Sequence, residues 1–146
     1  MSRLLLLLTV VVTCLPSLAS ASVLDGHWFF YKKIYQNQHM PEPPSATLRM
    51  HFEFSPEGES TLYWWHEGEG DYCHRKGRYL VEKDQLVDEV TWLDPKNTHF
   101  CGNDPDMQLG RRTRTPFYFS GPDLALRFHL GDENLDFVWK KIEEEK

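Results

Sequence analysis

Cysteine is scarce: the 146 residues hold three. That excludes a disulfide-dense scaffold and leaves too few thiolates for a cysteine-rich zinc fold. Positive charge is also short, and the net charge of −6 repels a phosphate backbone, so no nucleic-acid partner is expected. The one basic cluster, Arg111, Arg112 and Arg114, falls in a strand-like segment. Amphipathic helical patterning is missing over any window of about ten residues. Past residue 21 no apolar run approaches the roughly 20 residues that a membrane-spanning helix requires. The serines Ser45, Ser55, Ser60 and Ser120 lack a nucleophile-elbow sequence, and the seven histidines are scattered singly. A catalytic triad is therefore unsupported, and the chain reads as a non-enzyme without cofactor.

The longest apolar run stands at the start. Arg3 precedes an unbroken stretch from Leu4 to Val12, Pro16 breaks it, and Ala19-Ser20-Ala21 offers a small-x-small cleavage site. That is the plan of a secretory signal peptide over residues 1–21, leaving a mature domain over 22–146 and a secreted or periplasmic location. Cys14 leaves with the leader, so Cys73 and Cys101 remain as one candidate disulfide in an oxidising compartment. With Arg3 gone the net charge becomes −7, because every acid lies in the mature part.

What fills the mature chain is period-two alternation. In residues 47–54 Leu48, Met50, Phe52 and Phe54 share one face, and Thr47, Arg49, His51 and Glu53 the other. Eight such segments follow one another, joined mostly by short hairpin-type links such as SPEGE, SGPD and GDEN. Sequential strands with short links dispose of their edges most simply by closing. The expected fold is thus all-β, an eight-stranded antiparallel up-and-down barrel, with a two-sheet sandwich as the alternative.

Gly26-His27-Trp28 opens the first segment, and Pro-rich residues 37–45, the FSPEGE hairpin and a last segment ending VWKKI follow. Together these resemble the secreted bacterial lipocalin-like domains of the calycin superfamily. The resemblance implies a barrel whose floor is closed by Trp28 beside Gly26. It also implies a monomer that binds a small hydrophobic or amphipathic ligand, such as a fatty acid.

Alternation carried through the segments points Leu48, Met50, Phe52, Phe54, Leu124, Leu126, Phe128, Leu135, Phe137 and Trp139 inward. An eight-stranded barrel is narrow, so these side chains either fill it or line a cavity. The parity of Leu109, Phe117 and Phe119 also carries Arg111, Thr113 and Thr115. Unless a bulge at Pro116 resets the register, Arg111 points inward and needs an internal acid such as Asp88 or an acidic ligand as partner. Arg111, Phe52, Phe117, Phe128 and Phe137 are accordingly the expected ligand-binding residues.

The stretch HEGEGDYCH, residues 66–74, raises the question of a metal. Adjacent strand residues face opposite sides, so Cys73 and His74 cannot both reach one ion. The segment reads as a hairpin with no metal. The loop over residues 94–108, fixed through Cys101, would then lie across one barrel mouth. The rival function is a protein-interaction module, for instance an exported hydrolase inhibitor, that displays this loop on a filled barrel.

Overall fold

A computed structural model describes residues 22–35, 38–40 and 46–143. The expected leader and most of the loop at 36–46 lie outside the described residues. Among the described residues, nine strands form one antiparallel sheet: β1 Gly26–Tyr35, β2 Gln38–Met40, β3 Leu48–Phe54, β4 Glu59–His66, β5 Tyr72–Glu82, β6 Gln85–Leu93, β7 Arg112–Ser120, β8 Asp123–Leu130 and β9 Glu133–Lys141. From β3 to β9 each strand pairs with the next, and β1 pairs with both β3 and β9. The sheet therefore closes on itself as an eight-stranded up-and-down barrel, and the sandwich alternative falls away. The short β2, not foreseen from sequence, folds back on the second half of β1 through Lys33↔Met40 and Tyr35↔Gln38.

The alternation dictates the core. Phe52, Phe54, Leu124, Leu126 and Trp139 are buried in one cluster with Trp28, Phe30 and Leu62, while Met50, Phe128 and Phe137 pack against it half-buried. β1 obeys the same parity until a register shift between Phe30 and Lys32. The shift aligns Lys33 with Phe137, and the Lys33 ammonium lies 4.9 Å from that ring. Burial lowers the Lys33 pKa.

The floor is built by the chain that enters β1. Leu24 is fully buried, and Trp28 Nε1 donates to its carbonyl at 2.7 Å. Tyr79 donates its hydroxyl to Asp25 at 2.6 Å and to the Ser55 carbonyl at 3.0 Å, tying the floor segment to the far wall. Gly26 adopts a φ of 124°, and a Cβ there would stand 2.5 Å from Lys141 Cε. Both reasons favour glycine beside the tryptophan.

At the other end the long β6–β7 connection forms two 3-10 turns, His99–Asn103 and Pro105–Met107. Cys101 is bonded to Cys73 of β5, with Cα atoms 5.7 Å apart. Met107 is buried against this disulfide, Trp64 and Leu93. Asn97 clamps the loop by accepting from the His74 amide at 2.7 Å and donating to the His74 carbonyl at 2.9 Å. The loop is thus held against β5 and β6.

Candidate functional site

Within the barrel lies a cavity of about 80 Å³. Its apolar wall includes Met50, Phe52, Leu62, Phe128, Phe137 and Trp139, and its polar wall Arg75, Asp88, Thr113, Thr115, Asp104 and Asp106. Of these polar residues, Arg75, Asp88, Thr113 and Thr115 follow from parity on β5, β6 and β7. On β5, Cys73, Arg75, Gly77 and Tyr79 alternate as buried residues with the exposed Lys76 and Arg78. Arg75 therefore enters the barrel on the same face as the disulfide.

A buried guanidinium needs a counter-charge, since one left alone would destabilise the fold by several kcal/mol. Asp88 of β6 supplies it: Arg75 Nη2 lies 2.7 Å from Asp88 Oδ2, with the side chains 5% and 4% exposed. Ser60 of β4 donates to the other carboxylate oxygen at 2.5 Å. Gly77 makes room for this arrangement. A Cβ at that position would stand 2.6 Å from Ser60 Oγ and 2.7 Å from the Glu89 carbonyl.

The network leaves donors over. Arg75 Nε and Nη1 and Trp139 Nε1 are buried and find no acceptor among the described residues. The guanidinium carbon lies 5.5 Å from the centre of the Phe52 ring, and the Trp139 ring lies 5.8 Å from that same phenyl. Two residues bearing unmatched donors thus flank one phenyl ring, and both line the cavity. An unmatched buried donor costs about 1–3 kcal/mol, so three in one place call for an explanation.

Asp104 and Asp106 reach the cavity from the disulfide-held loop. Asp104 Oδ1 accepts from the Asp106 amide at 2.8 Å, capping the second 3-10 turn. Burial, then the Asp104 charge, pushes the Asp106 carboxyl above its ordinary range, against opposing pulls from Arg75 and Arg111.

The expectation for Arg111 is corrected. Arg111 is exposed and precedes β7. Gly110, at a φ of 78°, donates to the Val90 carbonyl, and the Val90 amide donates to Arg111. Two residues therefore oppose one, a glycine-first β-bulge that resets the register. The bulge lies at Gly110, not at Pro116, which pairs regularly with Gln85. Thr113 and Thr115 keep the inward parity, and the buried guanidinium beside Asp88 is that of Arg75. Phe52, Phe128 and Phe137 line the cavity. Phe117 is buried outside its lining, 6.0 Å from Phe119. Sequence reasoning passed over Arg75, Ser60 and Trp139's indole N–H, although the parity of Cys73, Tyr79 and Val81 already carried Arg75.

The HEGEGDYCH stretch forms the end of the β4–β5 hairpin, with Gly68 at a φ of 83° and His74 on the face opposite Cys73. Beside it a wider hollow of about 250 Å³ opens between the hairpin and the loop, lined by Trp64, His66, Glu69, Asp71 and Phe100. Trp64 belongs to both hollows. The inner one is the better candidate because it alone is lined by residues with unmatched buried donors.

No family model and no curated protein matches the chain. Among solved structures it is similar to a lipocalin-like protein from Bacteroides uniformis, with a TM-score of 0.56 and 14% identity over 82% of this chain and 98% of that one. At that identity the likeness is one of fold. The fold is lipocalin-like, and among the described residues no helix is long and apolar enough to cross a membrane.

Proposed function

We propose that this barrel binds one small ligand in its interior, with the ligand's polar end at Arg75 and Trp139 and its apolar part against Met50, Phe128 and Phe137. The observation that carries the reading is the set of three buried donors without acceptors on residues that line one cavity. A ligand oxygen there recovers part of the about 1–3 kcal/mol that each unmatched donor costs. Eight-stranded barrels have room for side chains or one small ligand, which agrees with the scale of the cavity. At about 80 Å³ it is roughly half the 150 Å³ of a cavity known to hold benzene. That size disfavours an enclosed long-chain fatty acid and favours a compact molecule extending toward the mouth. Because small ligands gain at most about 1.5 kcal/mol per heavy atom, one of about six heavy atoms gains at most about 9 kcal/mol and binds no tighter than about 0.3 μM.

The reading includes export: residues 1–21 act as a cleaved leader, and 22–146 work as a monomeric domain in an oxidising compartment. The Cys73–Cys101 bond supports it, since such bonds persist mainly in oxidising compartments.

A second reading has its own support. Phe100 and Leu109 on the disulfide-held loop are 58% and 66% exposed, and paired with so small a cavity they suit a module that docks a protein partner.

The test is NMR of the isotope-labelled, oxidised protein with a library of small fragments, read at the indole N–H of Trp139 among the five tryptophans. Binding in the barrel shifts that resonance, and Thr115→Leu, which fills the cavity, abolishes the shift. A library that leaves Trp139 unmoved at millimolar concentrations defeats the ligand reading and leaves the loop as the functional surface.

A further inference from the structure

Arg75 does not offer the cavity a bare positive charge. Its guanidinium is already matched by Asp88 at 2.7 Å, and that carboxylate's second oxygen is held by Ser60 at 2.5 Å. The residues lining the cavity include one cation, Arg75, and three carboxylates, Asp88, Asp104 and Asp106. Lys33 and Arg111 are the cations nearby, the first over the Phe137 ring and the second exposed, and neither lines the cavity.

We propose that the inner end of the site takes an uncharged oxygen acceptor, an amide or ketone carbonyl or a hydroxyl, and rejects carboxylates. The proposal rests on the reading of the barrel as a ligand site and names the class of ligand it selects. A carbonyl oxygen has two lone pairs and no charge, so it can take donors from Arg75 and Trp139 while the Arg75–Asp88 pair stays neutral. A carboxylate would take the same donors but add a buried negative charge with no cation left to match it. In a low-dielectric interior that charge is costly, and Asp104 and Asp106 add to the repulsion. The chemistry that first suggests an acid-binding arginine is therefore reversed by the arginine's own partner.

Butyramide and butyrate test this, being nearly isosteric and differing in charge. Dissociation constants are read by NMR at the Trp139 indole N–H in the oxidised full-length mature protein. Butyramide is expected to bind more tightly by roughly tenfold or more, about 1.4 kcal/mol. In Asp88→Asn, which frees the Arg75 charge, the preference should invert in favour of butyrate. Butyrate binding as tightly as butyramide to the unaltered protein overturns the selectivity and leaves the ligand site standing. If neither compound moves Trp139, the ligand site falls and the selectivity with it. Should Asp88→Asn fail to fold, the comparison in the unaltered protein decides alone.

Discussion

Replacing Asp88 with asparagine removes one buried charge and almost no volume. The carboxamide oxygen can still accept from Arg75, and its NH₂ can donate to the Ser60 hydroxyl, so both contacts of the native carboxylate, at 2.7 and 2.5 Å, have successors. What is lost is the counter-charge of a guanidinium whose side chain is 5% exposed. Removing one partner of a buried pair costs about 3–5 kcal/mol, and the retained hydrogen bonds place Asp88→Asn near the lower end. Arg75→Met alone strands the carboxylate and falls in the same range. The double variant restores neutrality, so the cycle should show a favourable coupling of about 2–3 kcal/mol between the two sites. The assay is urea unfolding at neutral pH with the disulfide intact. With a urea slope of about 1–3 kcal/mol/M, a loss of about 3 kcal/mol moves the midpoint of Asp88→Asn down by about 1–3 M at unchanged slope. A loss below about 0.5 kcal/mol, the range of surface substitutions, would mean that Arg75 is solvated, and the neutrality argument for ligand selection would fail with it.

Gly77→Ala should destabilise by about 1–3 kcal/mol in thermal melts, because its Cβ would meet the Glu89 carbonyl at 2.7 Å as well as Ser60 Oγ; a neutral substitution would refute the tight fit around Asp88. Replacing Cys73 and Cys101 together with alanine opens a loop of sequence separation 28 and should lower stability by about 3–4 kcal/mol on the loop-entropy account. Asp106 has a folded pKa raised above its ordinary value of 3.8 by burial and by Asp104. Its protonated form therefore favours folding below the unfolded pKa, and that benefit is lost as pH rises through the folded pKa. Asp106→Asn should accordingly raise Tm at pH 7, with the gain vanishing as the pH falls below 3.8; a gain that persists in acid would show that removal of the charge is not its cause.

The barrel was legible because its signal is periodic and repeated. Leu48, Met50, Phe52 and Phe54 reveal one inward face, and the same parity in β8 and β9 finds Leu124, Leu126, Phe137 and Trp139. Closure was expected because the links between neighbouring segments are mostly short and hairpin-like, and neither of the two longer connections forces a crossover. The site was harder to see because it depends on where parity breaks. Counting by twos through GRRTRT carries Arg111 inward, but Gly110's left-handed backbone inserts an extra residue opposite Val90 and turns Arg111 to solvent. In YCHRKGRYLVE no break separates Cys73 from Arg75, and the count would have held. Asp88 was recognisable as an internal acid, but its partner is set by packing across β5 and β6. That lateral placement of side chains is fixed by barrel curvature, which alternation along single strands does not encode.

A crystal structure of the oxidised protein soaked with butyramide tests the central claim most directly. The account predicts the amide inside the barrel, its oxygen within about 3.2 Å of Trp139 Nε1 or an unmatched Arg75 nitrogen, with the Arg75–Asp88 contact intact. Butyramide found only on the outer surface, with Arg75 and Trp139 enclosed by packed side chains, would contradict it and leave the disulfide-held loop as the part of the molecule that meets a partner.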